Sequence, residues 1–169
     1  MSIIIRKGGA PEVEQFIQLL YEVKESMEYQ QWLYLDPPED FREMANKGIL
    51  HLWAAMDGDR MAAAFDYLVP GFEEYNYGYD LDFSGDQLLK VVNMDTVAVH
   101  PDYRGKGLQR TLMVKAEQEI AGNGERTLLC TVHPDNHFSL QNILNQGYTI
   151  EKLLDKYGSV RYLLRKDIF

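Results

Sequence analysis

The segment Val97-Ala98-Val99-His100-Pro101-Asp102-Tyr103-Arg104-Gly105-Lys106-Gly107-Leu108-Gln109 decides how this chain is read. It joins the end of a strand to the start of a helix through a short turn that holds two glycines. Gly105 and Gly107 lack a Cβ, so the backbone can take positive φ there and come close to a ligand. The first-turn N–H groups of the following helix have no intrahelical acceptor and carry partial positive charge. Strand, glycine turn and helix start, in that order, make a site for a polyanion. Arg104, Lys106 and Arg110 outnumber the one nearby carboxylate, Asp102, so the segment is net positive within an acidic chain.

Outward from this turn the pattern is regular. Lys90 to Val99 reads as a strand, and Leu108, Leu112, Ala116 and Ile120 recur at helical spacing to about Ala121, where Gly122-Asn123-Gly124 stops the helix. Arg126 to Val132 reads as a buried strand, and His133-Pro134-Asp135-Asn136 as a turn. A short helix is predicted from His137 to Gln146, then strands from Tyr148 to Leu154 and Val160 to Lys166 about Lys156-Tyr157-Gly158-Ser159.

The N-terminal half begins with a strand over residues 1–6, and Gly8-Gly9-Ala10-Pro11 leads into a helix. Val13, Phe16, Ile17, Leu20 and Met27 give that helix one apolar face as far as Glu28. Asp36 is predicted to cap a second helix that runs through Asn46 and ends at Gly48. Strands from Ile49 to Met56 and from Arg60 to Val69 flank the hairpin turn Asp57-Gly58. The stretch from Phe72 to Gln87 breaks the pattern: Glu73, Glu74, Asp80, Asp82 and Asp86 mix with Tyr75, Tyr77 and Tyr79, and no cation lies between Arg60 and Lys90. It is predicted to be a functional loop or a partly extended flap.

This order predicts an α/β fold with a mixed, mostly antiparallel twisted sheet and helices on both faces. Without linkers, repeats or low-complexity tracts, residues 1–169 are expected to form one domain. A hydrophobic content of 46% with 25% charged residues suits a globular protein of this length. No run of about 18 apolar residues occurs, so no membrane partner is expected. The start lacks the basic region and apolar stretch of a secretory signal, and the single Cys130 cannot form an internal disulfide; both fit a cytoplasmic chain. A net charge of −9 argues against nonspecific nucleic-acid binding and favours a cationic partner.

The glycine turn resembles the acyl-CoA-binding signature of the GNAT N-acetyltransferase superfamily, Q/R-x-x-G-x-G/A, with Arg104 first and Gly107 fourth. Gln109 occupies the sixth position, where the family more often has Gly or Ala. Asn136, Ser139 and Gly147-Tyr148 resemble the family's N-x-x-A/S…G-F/Y pattern, and the element order is similar over nearly the whole chain. The resemblance implies acetyl-CoA as cosubstrate. Its pyrophosphate would lie on Arg104, Gly105, Lys106, Gly107, Leu108, Gln109 and Arg110, and its pantetheine arm along Val97, Ala98 and Val99 with Asn136 and Ser139. The implied activity is acetyl transfer to a primary amine of a small molecule or peptide.

Direct transfer needs a neutral amine, a polarised carbonyl and an outlet for the thiolate. A main-chain N–H near Val97 to Val99 can polarise the carbonyl. Asp95 shares a strand face with Asn93 and is the candidate base, the other reading being a carboxylate that orders a neighbouring loop. Glu73 and Glu74 are the alternative bases. Many GNAT enzymes carry an acidic tyrosine seven residues after the position of Asn136, and here Ile143 stands there. Tyr148 and Tyr157 are candidates for the acid by lying nearby in sequence, the other reading of each being a core or rim aromatic. Ile143 also supports the alternative of a catalytically impaired CoA-binding sensor or interaction module.

The acceptor would meet Trp32, Tyr34, Glu73 and Tyr75, since carboxylates and aromatic faces attract a cationic amine. No metal is expected: His133 and His137 are four apart, but Pro134 interrupts a helix across them. His51 and Cys130 read as structural. A homodimer is left open.

Overall fold

The computed structural model describes residues 2–169. Its strands are β1 (Ile3–Gly8), β2 (Leu50–Asp57), β3 (Arg60–Leu68), β4 (Val91–Val99), β5 (Arg126–Val132), β6 (Thr149–Lys156) and β7 (Ser159–Ile168). Its helices are α1 (Ala10–Ser26), α2 (Pro38–Asn46), α3 (Asp86–Leu89), α4 (Leu108–Ile120) and α5 (His137–Asn145). The strands form one seven-stranded sheet in the order β1-β2-β3-β4-β5-β7-β6. β4 and β5 are parallel, while β1–β2, β5–β7 and β6–β7 are antiparallel, so the fold is the mixed α/β sheet expected. By contacts the chain divides into two compact units, Met1–Tyr67 with Thr96–Glu119, and Leu68–Asp95 with Ile120–Phe169.

In the first unit, α1 starts at Ala10 with proline in its first turn, and the Glu12 carboxylate accepts the Gly9 N–H at 3.3 Å. The helix ends at Ser26, two residues before the expected Glu28. Its buried Phe16 meets Phe41 of α2 edge-on, with ring centroids 6.2 Å apart. Asp36 does not cap α2. That helix begins at Pro38 with Pro37 as its cap residue and no side-chain cap, because two consecutive prolines already fix the entry and remove first-turn N–H donors. The Asp36 carbonyl instead accepts the Tyr21 hydroxyl at 3.1 Å.

Residues 61–67 of β3 are all buried, as they must be where both sheet faces are covered. On one face Lys7 Nζ and the Tyr67 hydroxyl both donate to Glu119 Oε1 of α4, at 2.7 and 2.5 Å. His51 stacks on Tyr67 at 4.8 Å, which gives it the structural role expected. Burial raises the Glu119 carboxyl, but the Lys7 and Tyr67 hydrogen bonds and the Lys7 charge together hold it below the usual range. A carboxyl lowered on folding contributes stability above its unfolded pKa and loses it as pH falls through the folded value. Glu119→Gln is therefore expected to cost about 1 kcal/mol at neutral pH. The difference in Tm from wild type should shrink below about pH 4. A Tm difference that stays constant from neutral to acid pH would contradict the assignment.

In the second unit, Tyr77, Val91, Leu129 and Leu163 form a core cluster, with Leu81, Phe83 and Leu154 packed on it. The acidic stretch is therefore not an extended flap. It folds into a 3-10 turn at Tyr77–Leu81 and the short α3, and Tyr77 is driven into the core while its carboxylates stay outside. Two buried asparagines satisfy its backbone. Asn76 Nδ2 donates to the carbonyls of Gly71 and Leu88 at 2.7 and 3.1 Å, and its Oδ1 accepts the Gly78 N–H at 2.7 Å. Asn93 accepts the Tyr77 N–H at 3.2 Å and donates to the Tyr75 carbonyl at 2.9 Å. Leu88 is buried in α3, so β4 begins at Val91 and not at Leu88 or Lys90.

Among the described residues the parallel register of β4 on β5 runs over Val91↔Thr127, Val92↔Leu128 and Asn93↔Leu129. Both strands continue, β5 as far as Val132, so they part beyond Asn93 and Leu129. By contrast the whole of β5 pairs with β7, from Arg126↔Ile168 to Val132↔Tyr162. Asn136 caps α5 by accepting the Ser139 N–H at 3.4 Å.

Candidate active site

In the first unit β4 leads into the glycine turn by a braced corner. The His100 N–H donates to the Ala62 carbonyl of β3 at 2.8 Å, and a 3-10 turn follows at Pro101–Tyr103. The hairpin between β2 and β3 holds that corner from the side. The buried Tyr103 hydroxyl donates to Asp57 Oδ2 at 2.6 Å, and Arg60 donates to Asp102 Oδ2 at 2.9 Å. The Arg60 guanidinium also lies 5.3 Å from the Tyr103 ring centroid. Hydrogen bonding to Asp57 pushes the Tyr103 phenol up, which keeps it a donor.

Gly105 and Gly107 have φ of +78° and +69°, as the sequence predicted for this turn. A Cβ built on either would meet no heavy atom within 4 Å, so the turn stands open. Arg104, Lys106 and Arg110 are exposed, Gln109 is half-buried and Leu108 is anchored in the core. Helical hydrogen bonding begins with the Thr111 N–H on the Gly107 carbonyl at 3.0 Å, so the N–H groups of residues 108–110 form the donor turn of α4. Upstream, Val97 and Val99 are half-buried and Ala98 is buried. The Thr96 N–H donates to Asp66 Oδ1 of β3 at 2.8 Å, and Asp66 is wholly enclosed. Asp66 went unnoticed in the sequence; the signal was a lone carboxylate inside the apolar run from Met61 to Leu68.

Trp32 and Tyr34 belong to the same unit. Trp32 stacks on Tyr29 at 4.8 Å, and Tyr34 is exposed. Partial burial, with the charges of Asp36 and Asp40, raises the Tyr34 phenol. Glu73 and Tyr75, their expected companions, belong to the second unit, where Glu73 is exposed and Tyr75 half-buried.

The second unit holds Asp95, Tyr77 and Tyr157. Asp95, half-buried, follows Asn93 by two residues on the same face of β4, and Thr131 follows Leu129 by two on β5. The Thr131 hydroxyl is hydrogen-bonded to that of Tyr77, which lies 2.8 Å from that of Tyr157. Burial, then the nearby Tyr157 and Asp95, pushes the Tyr77 phenol far up, so it stays protonated. Tyr77 and Thr131 were missed because their side chains meet only after the acidic stretch folds. Asn136 and Ser139 lie at the start of α5, where the Asn136 oxygen serves as the cap. Ile143 is buried, and Tyr148, 2% exposed beneath Lys166, is a core aromatic. Cys130 is buried as expected. Among the described residues no three His, Cys, Asp or Glu side chains gather to hold a metal ion, and no helix is long and apolar enough to cross a membrane.

An open glycine turn on a helix start, at the end of a strand in a mixed sheet, is an arrangement that suits a polyanionic ligand. The sequence matches the Acetyltransferase (GNAT) family over residues 16–148, most of its length, and the chain belongs to that family. The fold is similar to that of a GNAT-family acetyltransferase from Streptococcus pneumoniae, with a TM-score of 0.76 at 16% identity over 99% of this chain and 100% of that one. It is similar to Arabidopsis thaliana NAA60 in complex with acetyl-CoA, with a TM-score of 0.74 at 17% identity over 99% of each chain. The ribosomal-protein-S18-alanine N-acetyltransferase of Escherichia coli gives 0.69 at 15% identity, over 99% of this chain and 93% of that one. Among proteins with curated functions none matches in sequence.

Proposed function

We propose that this protein moves an acetyl group from acetyl-CoA to a primary amine of a small molecule or peptide by direct transfer. The observation that carries the reading is the open turn with Gly105 and Gly107 at positive φ, inside the segment that matches the family. Bare main-chain amides of this kind bind a diphosphate, and Arg104, Lys106 and Arg110 add charge around them. The Arabidopsis relative holds acetyl-CoA, and it also takes a bisubstrate analogue.

On this reading Leu108 and Gln109 contribute first-turn N–H groups to the pyrophosphate. The main chain of Val97, Ala98 and Val99 runs along the pantetheine arm, with Asn136 Nδ2 and Ser139 at its far end. Asp95 takes the amine's proton, directly or through water, and a β4 amide polarises the carbonyl. Trp32, Tyr34, Glu73 and Tyr75 receive the acceptor, through aromatic faces and one carboxylate. Residues 1–169 act as one acetyltransferase domain.

One observation favours a second reading. Ile143, aliphatic and buried, stands where the family resemblance implies a proton donor, as it would in a module that binds CoA without turnover. Free thiol release from acetyl-CoA, measured with a panel of amines, amino acids and polyamines, separates the two. Release with at least one amine is expected; CoA binding without release across the panel would favour the module.

A further inference from the structure

The turn between β6 and β7 holds Tyr157 at φ +58° and Gly158 at φ +78°. Two positive φ values are what a two-residue type I′ hairpin requires, and Asn-Gly meets that requirement without strain. A bulky aromatic in the left-handed region is an outlier that needs a reason. The surroundings of the ring supply one. Lys156, fixed by Asp80 at 2.9 Å, and Arg161 lie 5.7 and 5.9 Å from the Tyr157 ring centroid and clamp it. Its hydroxyl lies 2.8 Å from that of Tyr77.

The enclosed Tyr77 hydroxyl is hydrogen-bonded to Thr131 as well as to Tyr157, so it is held from both sides. Tyr157, 37% exposed, is the member of the pair that reaches the surface. Thr131 is the first β5 residue on this face beyond the last parallel pair, and Asp95 is its counterpart on β4. The hydroxyl pair therefore stands where the two strands separate.

We propose that Tyr157 is the proton donor to the departing sulfur and that Tyr77 is the positioning residue that aims it, filling the role that Ile143 cannot. This rests on the acetyl-transfer reading above. The amine nitrogen bonds to the acetyl carbon, the carbon–sulfur bond breaks, and its electron pair goes to sulfur, which takes the Tyr157 proton. Asp95 takes the amine's proton, and exchange with water restores both groups.

Titration calorimetry with CoA and with desulfo-CoA, which lacks the thiol, reads the contact without turnover. Tyr157→Phe keeps the ring and is expected to weaken CoA binding about 5-fold, as for one lost hydrogen bond, and to leave desulfo-CoA within about twofold. With an amine identified by thiol release, kcat should fall about 100-fold at an unchanged KM for acetyl-CoA. Tyr157→Asn suits the turn and should be equally slow while folding normally, which separates loss of the proton from loss of structure. A Tyr157→Phe protein with wild-type turnover, or with CoA and desulfo-CoA weakened alike, would overturn the donor role alone. A wild-type protein that releases no thiol with any amine would overturn the acetyl-transfer reading and the donor role with it.

Discussion

Gly107→Val is expected to abolish the thermal stabilisation that CoA gives the wild-type protein. A ligand that binds only the folded state at about 100 times its Kd adds about 2.7 kcal/mol. For a chain of this size that is a rise in Tm of roughly 5–10 °C. Gly107 sits at φ +69°, a region that a β-branched residue almost never occupies. The protein itself leaves the space around it open, so the valine side chain would project where ligand oxygens must approach. The backbone would be strained and the approach blocked, and an affinity loss of about 100-fold or more is expected. Gly107→Ala, which adds one methyl, should fall between the two. An equal CoA-induced shift in the wild-type and valine proteins, by differential scanning fluorimetry, would remove the turn as the pyrophosphate site.

Asp95→Asn is expected to lower kcat by about 10²–10³-fold while CoA stabilisation is retained. Asparagine preserves size and hydrogen-bonding shape but cannot accept a proton from an amine. The side chain lies one step past the last β4–β5 pair and only half-buried, so its loss should not disturb the core cluster around Tyr77. A fall in kcat with an unchanged KM for acetyl-CoA assigns the loss to the chemical step. A variant as fast as wild type at every pH would leave Asp95 as a carboxylate that merely orders its surroundings.

The elements legible in the sequence were those written in local chemistry. Gly105 and Gly107 announce positive φ wherever they stand, and the spacing of Leu108, Leu112, Ala116 and Ile120 fixes a helix face without reference to anything distant. Arg126 to Val132 reads as the strand it is. Helix and strand ends were less legible, since Pro37 and Pro38 overrode Asp36 as the determinant of where α2 begins. The extended-flap alternative for the acidic stretch fails for a different reason. Its composition is that of a solvated loop, but one tyrosine and two asparagines fold it, and their partners lie on β4, β5 and β7. The same holds for the Thr131–Tyr77–Tyr157 chain, whose members are far apart in sequence and meet only in the fold.

The brace on the corner at His100–Tyr103 also bears on how the turn works. Asp57 and Arg60 hold Tyr103 and Asp102 through the chain's own contacts, so the loop that follows is anchored by bonds made on folding. The entropy of ordering that corner falls on folding and not on association, which leaves more of each phosphate contact as affinity. Engineers who swap the tip of the β2–β3 hairpin, outside the glycine turn itself, would thus be retuning that turn remotely, through its scaffolding.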